Sequence, residues 1–228
     1  MTEQLVLDLG HRSARGVEDF LVAPCNRDAV AWLDRWPNWP GPVLALHGPA
    51  ACGKTHLAHI WMNRSAARLL KANELSEASS YRFLADGLNI IVDDVGTGVD
   101  ERALLHLYNM VGEAGGHILL SSQIPPARWT IGLADLRSRL NAAPAVSIGW
   151  PDDALIGAVL VKLFADRQMT VEGEVLVYML ARMERSFASA KMLVTALDRS
   201  ALAAHRRITI PLVREVMAVL NESEIGRD

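Results

Sequence analysis

Short apolar runs alternate with helical patterns through the first 150 residues. Runs typical of buried strands predict β-structure at Val43–His47, Leu88–Val92, His117–Ser121 and Ala145–Ile148, with a weaker candidate at Arg68–Lys71. Apolar positions at helical spacing predict helices over Asn26–Trp36, Lys54–Arg64 and Glu101–Ala114. Strands and helices that alternate in this way are typical of a parallel α/β sheet.

The pattern changes after Pro151, where only helical periodicity remains. Asp152 and Asp153 are suited to cap a new helix. Helical segments are then predicted over Ala154–Arg167, Glu172–Met183, Phe187–His205 and Pro211–Asn221. Residues 1–16 hold one apolar alternation and are predicted to be a tail. We therefore expect a tail over 1–16, an α/β domain over 17–150 and a small all-helical domain over 151–228.

The composition is that of a globular protein. The 228 residues carry 23 basic and 26 acidic side chains, a net charge of −3, and 50% are hydrophobic. This content excludes a disordered tail protein, and the lack of a basic excess argues against a general polyanion binder. No apolar run is long enough for a membrane span, and the N-terminus lacks a secretory signal pattern. Two cysteines, Cys25 and Cys52, make no disulfide framework, so we expect reduced thiols and a cytoplasmic protein.

The strongest chemical signal is a glycine-rich loop between a predicted strand and a predicted helix. It reads Gly48-Pro49-Ala50-Ala51-Cys52-Gly53-Lys54-Thr55 and fits the pattern G-x-x-x-x-G-K-[ST]. Such a loop turns its backbone N–H groups toward phosphate oxygens, and the helix adds its positive N-terminal end. Lys54 is predicted to reach the β- and γ-phosphates of a nucleotide, and Thr55 to give a hydroxyl to Mg²⁺. The predicted nucleotide-binding segment extends to His56.

A second signal is the acidic pair at the end of the Leu88–Val92 strand. Ligands of parallel sheets bind at the carboxyl edge, where Asp93 and Asp94 are expected to lie. Asp93 is predicted to hold Mg²⁺ through water. Asp94 is predicted to orient or deprotonate an attacking water. Acidic strand ends are common, and the pair gains weight because it follows the glycine-rich loop.

Three weaker features remain open at the level of the residues. The run Ser121-Ser122-Gln123 either contacts the γ-phosphate or attacking water or is a strand-ending turn. Arg137 and Arg139 are either surface charges or arginines offered to the nucleotide of a neighbouring subunit. Cys52 either responds to oxidation or fills the loop as a small side chain. The seven histidines form no metal-binding pattern.

These motifs together resemble the AAA+ ATPases and, within them, the DnaA/Hda group. The resemblance covers residues 17–222. Besides the glycine-rich loop and the acidic pair, it rests on Leu105–Asn109, Ser121–Pro126, Leu136–Leu140, Ala196–Ser200 and Ile208–Pro211. It implies an α/β core with a five-stranded parallel sheet, followed by a small all-α lid domain. It also implies a bound ADP or ATP with Mg²⁺.

The resemblance assigns roles to individual positions. Lys54 and Thr55 become Walker A residues, and Asp93 and Asp94 become Walker B residues. Sensor 1 falls at Ser122 and Gln123. Arg139 is the expected arginine finger and Arg137 the near alternative. The segment from Val22 to Asn26 resembles the stretch that borders the adenine. One position departs from the family pattern, because the lid arginine called sensor 2 falls at Ala188; Arg185 and Lys191, at i−3 and i+3, are possible substitutes.

Within the group, the resemblance favours the regulatory inactivators over the initiators. We expect no DNA-binding domain after the lid, and residues 66–81 are short where an initiator has an insertion. At the N-terminus, Gln4, Leu5, Leu7 and Leu9 resemble a short motif that binds the sliding clamp of DNA polymerase, although a stray tail with three leucines is the plain alternative.

The sequence therefore predicts a negative regulator of bacterial chromosome replication initiation. It would dock on the clamp, and through the clamp lie near DNA, and would stimulate hydrolysis of ATP bound to DnaA. A homodimer is possible and membrane association is not expected. Two alternatives stay open: a self-contained AAA+ ATPase of the helicase- or transposase-loader type, and a nucleotide-locked clamp adaptor.

Overall fold

The computed structural model describes residues 21–76, 78, 80, 87–96, 98–204 and 206–225. The chain divides between Gly149 and Trp150 into two compact units, an α/β unit and a helical unit. The predicted clamp motif at residues 4–9 lies outside the described residues. In the described part, no helix is long and apolar enough to span a bilayer.

The α/β unit is built on a parallel sheet of five strands in the order β2-β3-β4-β1-β5. The strands are β1 (Val43–His47), β2 (Arg68–Lys71), β3 (Asn89–Asp93), β4 (His117–Ser122) and β5 (Ala145–Ser147). The predicted α/β class with a five-stranded parallel sheet is confirmed. The bounds of β1 and β2 agree with the prediction, whereas β3 begins one residue later, because its ladder with β4 starts at the pair Asn89–His117.

Both faces of the sheet are covered, as the apolar strands require. Alternate residues of β1 enter separate cores: Leu44 and Leu46 pack with Trp61 on one face, and Val43 and Ala45 lie in the cluster of the other. Burying each such leucine contributes about 1.5–3 kcal/mol. The helices that cover the sheet are α1 (Arg27–Asp34), α2 (Lys54–Ser65), α3 (Glu101–Glu113) and α4 (Ala134–Ala142).

Helix α4 was not predicted from the hydrophobic pattern. Its buried side chains are Leu136 and Leu140, one turn apart, and the rest of its sequence is mostly polar. The Glu101 carboxylate at the start of α3 accepts hydrogen bonds from the backbone N–H groups of Gly132 (2.9 Å) and Leu133 (2.7 Å). These contacts fix the start of α4 against α3.

The helical unit packs four helices around one apolar core, which includes Ile156, Leu160, Val194 and Leu197. The helices are α5 (Asp153–Asp166), α6 (Gly173–Leu180), α7 (Phe187–Ala204) and α8 (Ile210–Ile225). Asp152 caps α5 by accepting from the Leu155 N–H at 2.8 Å. The predicted all-helical unit after Pro151 is confirmed. Helix α6 ends three residues before the predicted Met183, and the predicted end of α7 at His205 lies outside the described residues.

Candidate phosphate-binding site

The turn from β1 into α2 brings the glycine-rich loop over the carboxyl edge of the sheet. A Cβ at Gly48 would lie 2.2 Å from the Ile148 carbonyl oxygen, so this approach admits only glycine. Gly53, just before α2, has a left-handed backbone with φ of +107°. The two glycines of the motif are therefore required by geometry, and the loop adopts the curled form that the sequence predicted.

Lys54 closes the loop from inside. Its side-chain ammonium donates to the Gly48 carbonyl at 2.8 Å and the Pro49 carbonyl at 2.6 Å, and the residue is 9% exposed. Helix α2 begins at Lys54 without a side-chain cap, and its first backbone N–H groups have no partner one turn earlier within the helix. A buried ammonium beside uncapped N–H groups provides the charge and donors that bind a phosphate.

Cys52 fills the interior of this loop. The residue is 2% exposed, and burial raises the pKa of its thiol, while the nearby Lys54 charge opposes the rise. Burial and the raised pKa both disfavour the reactive thiolate. These observations favour the role of a small filling side chain over that of a redox-responsive thiol.

The acidic pair stands at the end of β3, which pairs directly with β4, and β4 separates β3 from β1. Val92 lies opposite Leu120 of β4, and Asp93 is the next residue of β3. The Ser121 hydroxyl donates to the Asp93 carboxylate and accepts from the Asp94 N–H at 3.0 Å. Asp94 has a left-handed backbone with φ of +59°, and its side chain is exposed. Asp93 is thus held in place, whereas Asp94 is presented to solvent.

The polar side chains at the end of β4, Ser122 and Gln123, lie in different environments. The buried Ser122 hydroxyl donates to the Ile124 carbonyl at 2.5 Å, and Gln123 is exposed. The Ser122 carbonyl accepts from the Gly48 N–H at 3.2 Å, which places the predicted sensor 1 beside the glycine-rich loop. The sequence analysis included Ser121 in a candidate polar run but missed its contact with the acidic pair. The register of β4 against β3 would have revealed it, because Ser121 is one position past the Val92–Leu120 pair.

The segment before α1 lies beside the residues that follow β5, at the carboxyl edge of the sheet. Asn26 is 3% exposed, and its side chain accepts from the Ala23 N–H at 2.8 Å and donates to the Leu21 carbonyl at 3.0 Å. The Cys25 carbonyl accepts from the Gly149 N–H at 2.9 Å. These bonds give Asn26 the role of shaping the turn, and Val22 packs against the core on that face. Their contact with adenine stays a prediction.

Both candidate finger residues lie on α4. The Nε of Arg139 donates to Asp135 at 2.9 Å, and its guanidinium lies 5.2 Å from the ring centre of Tyr108 on α3. Arg137 is exposed and donates from Nη1 to the Ile131 carbonyl at 3.3 Å. Among the described residues, the structure brings neither arginine into hydrogen-bond contact with the glycine-rich loop, and their role as a finger stays a prediction.

In the helical unit, Ala188 at the sensor 2 position is exposed. Arg185, one candidate substitute, forms an ion pair with Asp153 in which Nη2 lies 3.1 Å from Oδ2. This pair holds the pKa of the Asp153 carboxyl below its usual value. Lys191, the other candidate, is exposed on α7. Arg185 is thus engaged within its own unit.

The oxygen donors of the site are suited to magnesium. Thr55 offers an exposed hydroxyl at the start of α2, and Asp93 a carboxylate held by Ser121. Over the residues that the structure describes, no cluster of three His, Cys, Asp or Glu side chains could hold a metal by itself. Magnesium usually binds through one or two protein oxygens together with waters and phosphates, so this sparse set fits it.

The strand–loop–helix with its buried lysine and the acidic strand end have the arrangement of a P-loop fold, and a helical unit follows it in the chain. Residues 153–217 match the family model described as "Hda, lid domain". The chain is 27% identical over 227 residues to the chromosomal replication initiator protein DnaA of Thermomicrobium roseum, a match that covers 88% of this chain. The same match covers 48% of that protein, so the chain spans about half the length of this relative.

Solved structures show the same fold. Domain III of the Thermotoga maritima replication initiation protein DnaA aligns with a TM-score of 0.72 at 16% identity, covering 88% of this chain and 94% of that one. AMPPCP-bound DnaA from Aquifex aeolicus aligns with a TM-score of 0.62 at 18% identity, covering 77% and 62%. The chain is thus similar in sequence to DnaA, matches the Hda lid model over residues 153–217 and shares the fold of DnaA domain III.

Proposed function

We propose that this chain is a nucleotide-bound regulatory inactivator of DnaA, a negative regulator of replication initiation. The observation that carries the proposal is the match of residues 153–217 to the Hda lid model. The sequence similarity to DnaA supports a role in replication initiation. In this account the protein acts on ATP held by DnaA, and the nucleotide in its own loop sets its conformation.

The loop residues bind the protein's own ADP or ATP. The Lys54 ammonium and the first N–H groups of α2 neutralise the phosphates, with the loop from Gly48 to Thr55 around them. Magnesium, when bound, would be held by Thr55 and Asp93 and would supply charge to the phosphate oxygens. Ser121 keeps the Asp93 carboxylate in place through its hydrogen bond. The AMPPCP complex of Aquifex DnaA, which shares the fold, supports nucleotide binding here.

Arg139 acts on the partner's nucleotide. A guanidinium placed beside the transferring phosphoryl group stabilises the charge of its transition state, and arginine fingers of this kind accelerate hydrolysis roughly 10³–10⁵-fold. DnaA would then hold ADP and stop initiating. Docking of Gln4, Leu5, Leu7 and Leu9 on the sliding clamp would confine this activity to DNA that carries a loaded clamp.

Arg139→Ala tests the mechanism, with Arg137→Ala as its matched control on the same helix. The assay measures conversion of labelled ATP on purified DnaA in the presence of clamp loaded on DNA. We expect Arg139→Ala to lower the stimulated rate by at least about 100-fold and Arg137→Ala to change it little. Full stimulation by Arg139→Ala would refute the assignment, and a loss confined to Arg137→Ala would move the finger to that residue.

A self-contained ATPase is the second candidate, and the exposed Asp94 favours it. Its carboxylate lies beside the held Asp93 and is free of the Ser121 hydroxyl, as an activating base for the protein's own nucleotide would be. This function predicts steady ATP hydrolysis without DnaA that Asp94→Asn abolishes. Absence of such turnover, with stimulated hydrolysis on DnaA intact, leaves the inactivator as the function.

A further inference from the structure

Two side chains hold the Arg139 guanidinium from different directions. Asp135, one turn earlier on α4, accepts from Nε at 2.9 Å. Tyr108 projects from α3, and its ring centre lies 5.2 Å from the guanidinium carbon. The Arg139 side chain is still 37% exposed, and that of Asp135 is 57% exposed. The guanidinium is therefore restrained at the surface.

The restraint leaves the phosphate-binding end of the guanidinium free. Asp135 uses Nε, and within the described part of the chain neither terminal amino group of Arg139 has a hydrogen-bond partner. The terminal amino groups are the donors that bind phosphate in a forked, bidentate geometry. The contacts thus orient the side chain without occupying the donors that a phosphate needs.

The helix that carries Arg139 is itself fixed against α3. Glu101, at the first turn of α3, accepts from the backbone N–H groups of Gly132 and Leu133 just before α4. Tyr108 lies two turns further along α3 and packs against the core beneath it. Arg137, by contrast, has one hydrogen bond among the residues that the structure describes, to the Ile131 carbonyl at 3.3 Å, and its charge acts on Glu101. Of the two arginines, Arg139 is the more closely restrained.

We propose that Tyr108 and Asp135 are positioning residues that pre-order Arg139 for insertion beside the phosphates of a nucleotide held by a second AAA+ protein. This inference rests on the proposed function, in which Arg139 is the finger. Pre-ordering removes side-chain entropy that would otherwise be lost as the phosphate is engaged. The two residues should accordingly affect the rate of the stimulated reaction more than the affinity for the partner.

The test uses the full chain and purified DnaA loaded with labelled ATP, in the presence of clamp loaded on DNA. Tyr108→Leu keeps an apolar side chain but removes the aromatic face, and Tyr108→Phe keeps the face and removes only the hydroxyl. Asp135→Ala removes the acceptor at the surface. Asp166→Ala is the matched control, because it removes an i,i+4 ion pair, with Lys162 at 2.9 Å, from the helical unit.

We expect Tyr108→Leu and Asp135→Ala each to lower the maximal stimulated rate about 3-fold, and together about 10-fold, as loss of a cation–π contact and an ion pair implies. The concentration giving half-maximal stimulation stays unchanged. Tyr108→Phe and Asp166→Ala keep the wild-type rate. In an Arg139→Ala background, Tyr108→Leu causes no further loss.

The outcomes separate the inference from the function on which it rests. If Arg139→Ala abolishes stimulation while Asp135→Ala and a folded Tyr108→Leu keep the wild-type rate, the positioning role is overturned and the finger stands. A further loss from Tyr108→Leu in the Arg139→Ala background also overturns it, because Tyr108 then acts by another route. If Arg139→Ala keeps full stimulation, the finger assignment fails first and the positioning role falls with it.

Discussion

The Ser121 hydroxyl links the end of β4 to the acidic pair at the end of β3. It donates to Asp93 and accepts from the Asp94 N–H at 3.0 Å. Ser121 is buried, so its removal leaves polar groups without this partner. At the scale of residues, then, the position of the Asp93 carboxylate depends on a hydroxyl from the neighbouring strand.

Ser121→Ala is expected to lower the free energy of unfolding by about 1–2 kcal/mol, the cost of losing a buried hydrogen bond to a charged group. It should also weaken magnesium-dependent nucleotide binding, because the Asp93 carboxylate loses its orientation. Urea unfolding and titration with a fluorescent ATP analogue measure the two effects. Ser147→Ala, at an exposed position of β5, is the control. Equal behaviour of the two variants would contradict this role of Ser121.

Gly48→Ala is predicted to disrupt the loop. The new Cβ would meet the Ile148 carbonyl oxygen at 2.2 Å, so the backbone must shift at a cost of about 1–3 kcal/mol. Gly41→Ala is the matched control, since a Cβ there meets no atom within 4 Å. Thermal unfolding and nucleotide titration should show losses for Gly48→Ala alone. Unimpaired binding by Gly48→Ala would show that the loop tolerates a side chain at this position.

At the scale of elements, the junction of α3 and α4 decides where the candidate finger lies. The Glu101 carboxylate accepts two backbone hydrogen bonds from the residues before α4, and these bonds, with the charge of Arg137, lower the pKa of Glu101. Hydrophobic periodicity cannot predict this contact, because the contact joins a polar side chain to backbone groups 31 and 32 residues away.

Because the pKa of Glu101 is lowered in the folded protein, its contribution to stability should depend on pH. A carboxyl whose folded pKa lies below its unfolded value stabilises the protein above the unfolded pKa, and this stabilisation is lost as pH falls through the folded pKa. Glu101→Gln should therefore cost stability at pH 7 and much less at about pH 3. Urea unfolding of both proteins at the two pH values measures the difference. A penalty that is the same at both would contradict the linkage.

The elements show what the sequence could and could not predict. β1 and β2 were predicted with their observed bounds, because an apolar run and the breaks around it are local signals. Helix α4 was missed because only Leu136 and Leu140 are buried, and its position depends on Glu101 far along the chain. The position of Lys54 at the start of α2 was predicted from the glycine-rich motif. The polar run that contains Ser121 was predicted, but its contact with Asp93 and Asp94 was not, because that contact depends on the register between β3 and β4, which no local pattern encodes.

At the scale of the whole molecule, an α/β unit with a glycine-rich loop is followed by a helical unit that matches the Hda lid model over residues 153–217. A ligand that binds only the folded state stabilises it, by about 2.7 kcal/mol at 100 times its dissociation constant. Magnesium ATP or ADP should therefore raise the thermal unfolding temperature, and Lys54→Ala should abolish the increase. Lys71→Ala, at an exposed lysine, is the control. An undiminished increase in Lys54→Ala would place nucleotide binding elsewhere.

The most direct measurement of the central claim follows labelled ATP on purified DnaA as it becomes ADP. The protein is added with and without clamp loaded on DNA, and a variant lacking residues 1–10 is compared in parallel. The account predicts rapid conversion that requires the protein and the loaded clamp together and that the deletion removes. Label that stays as ATP under all conditions would contradict the proposed inactivation of DnaA.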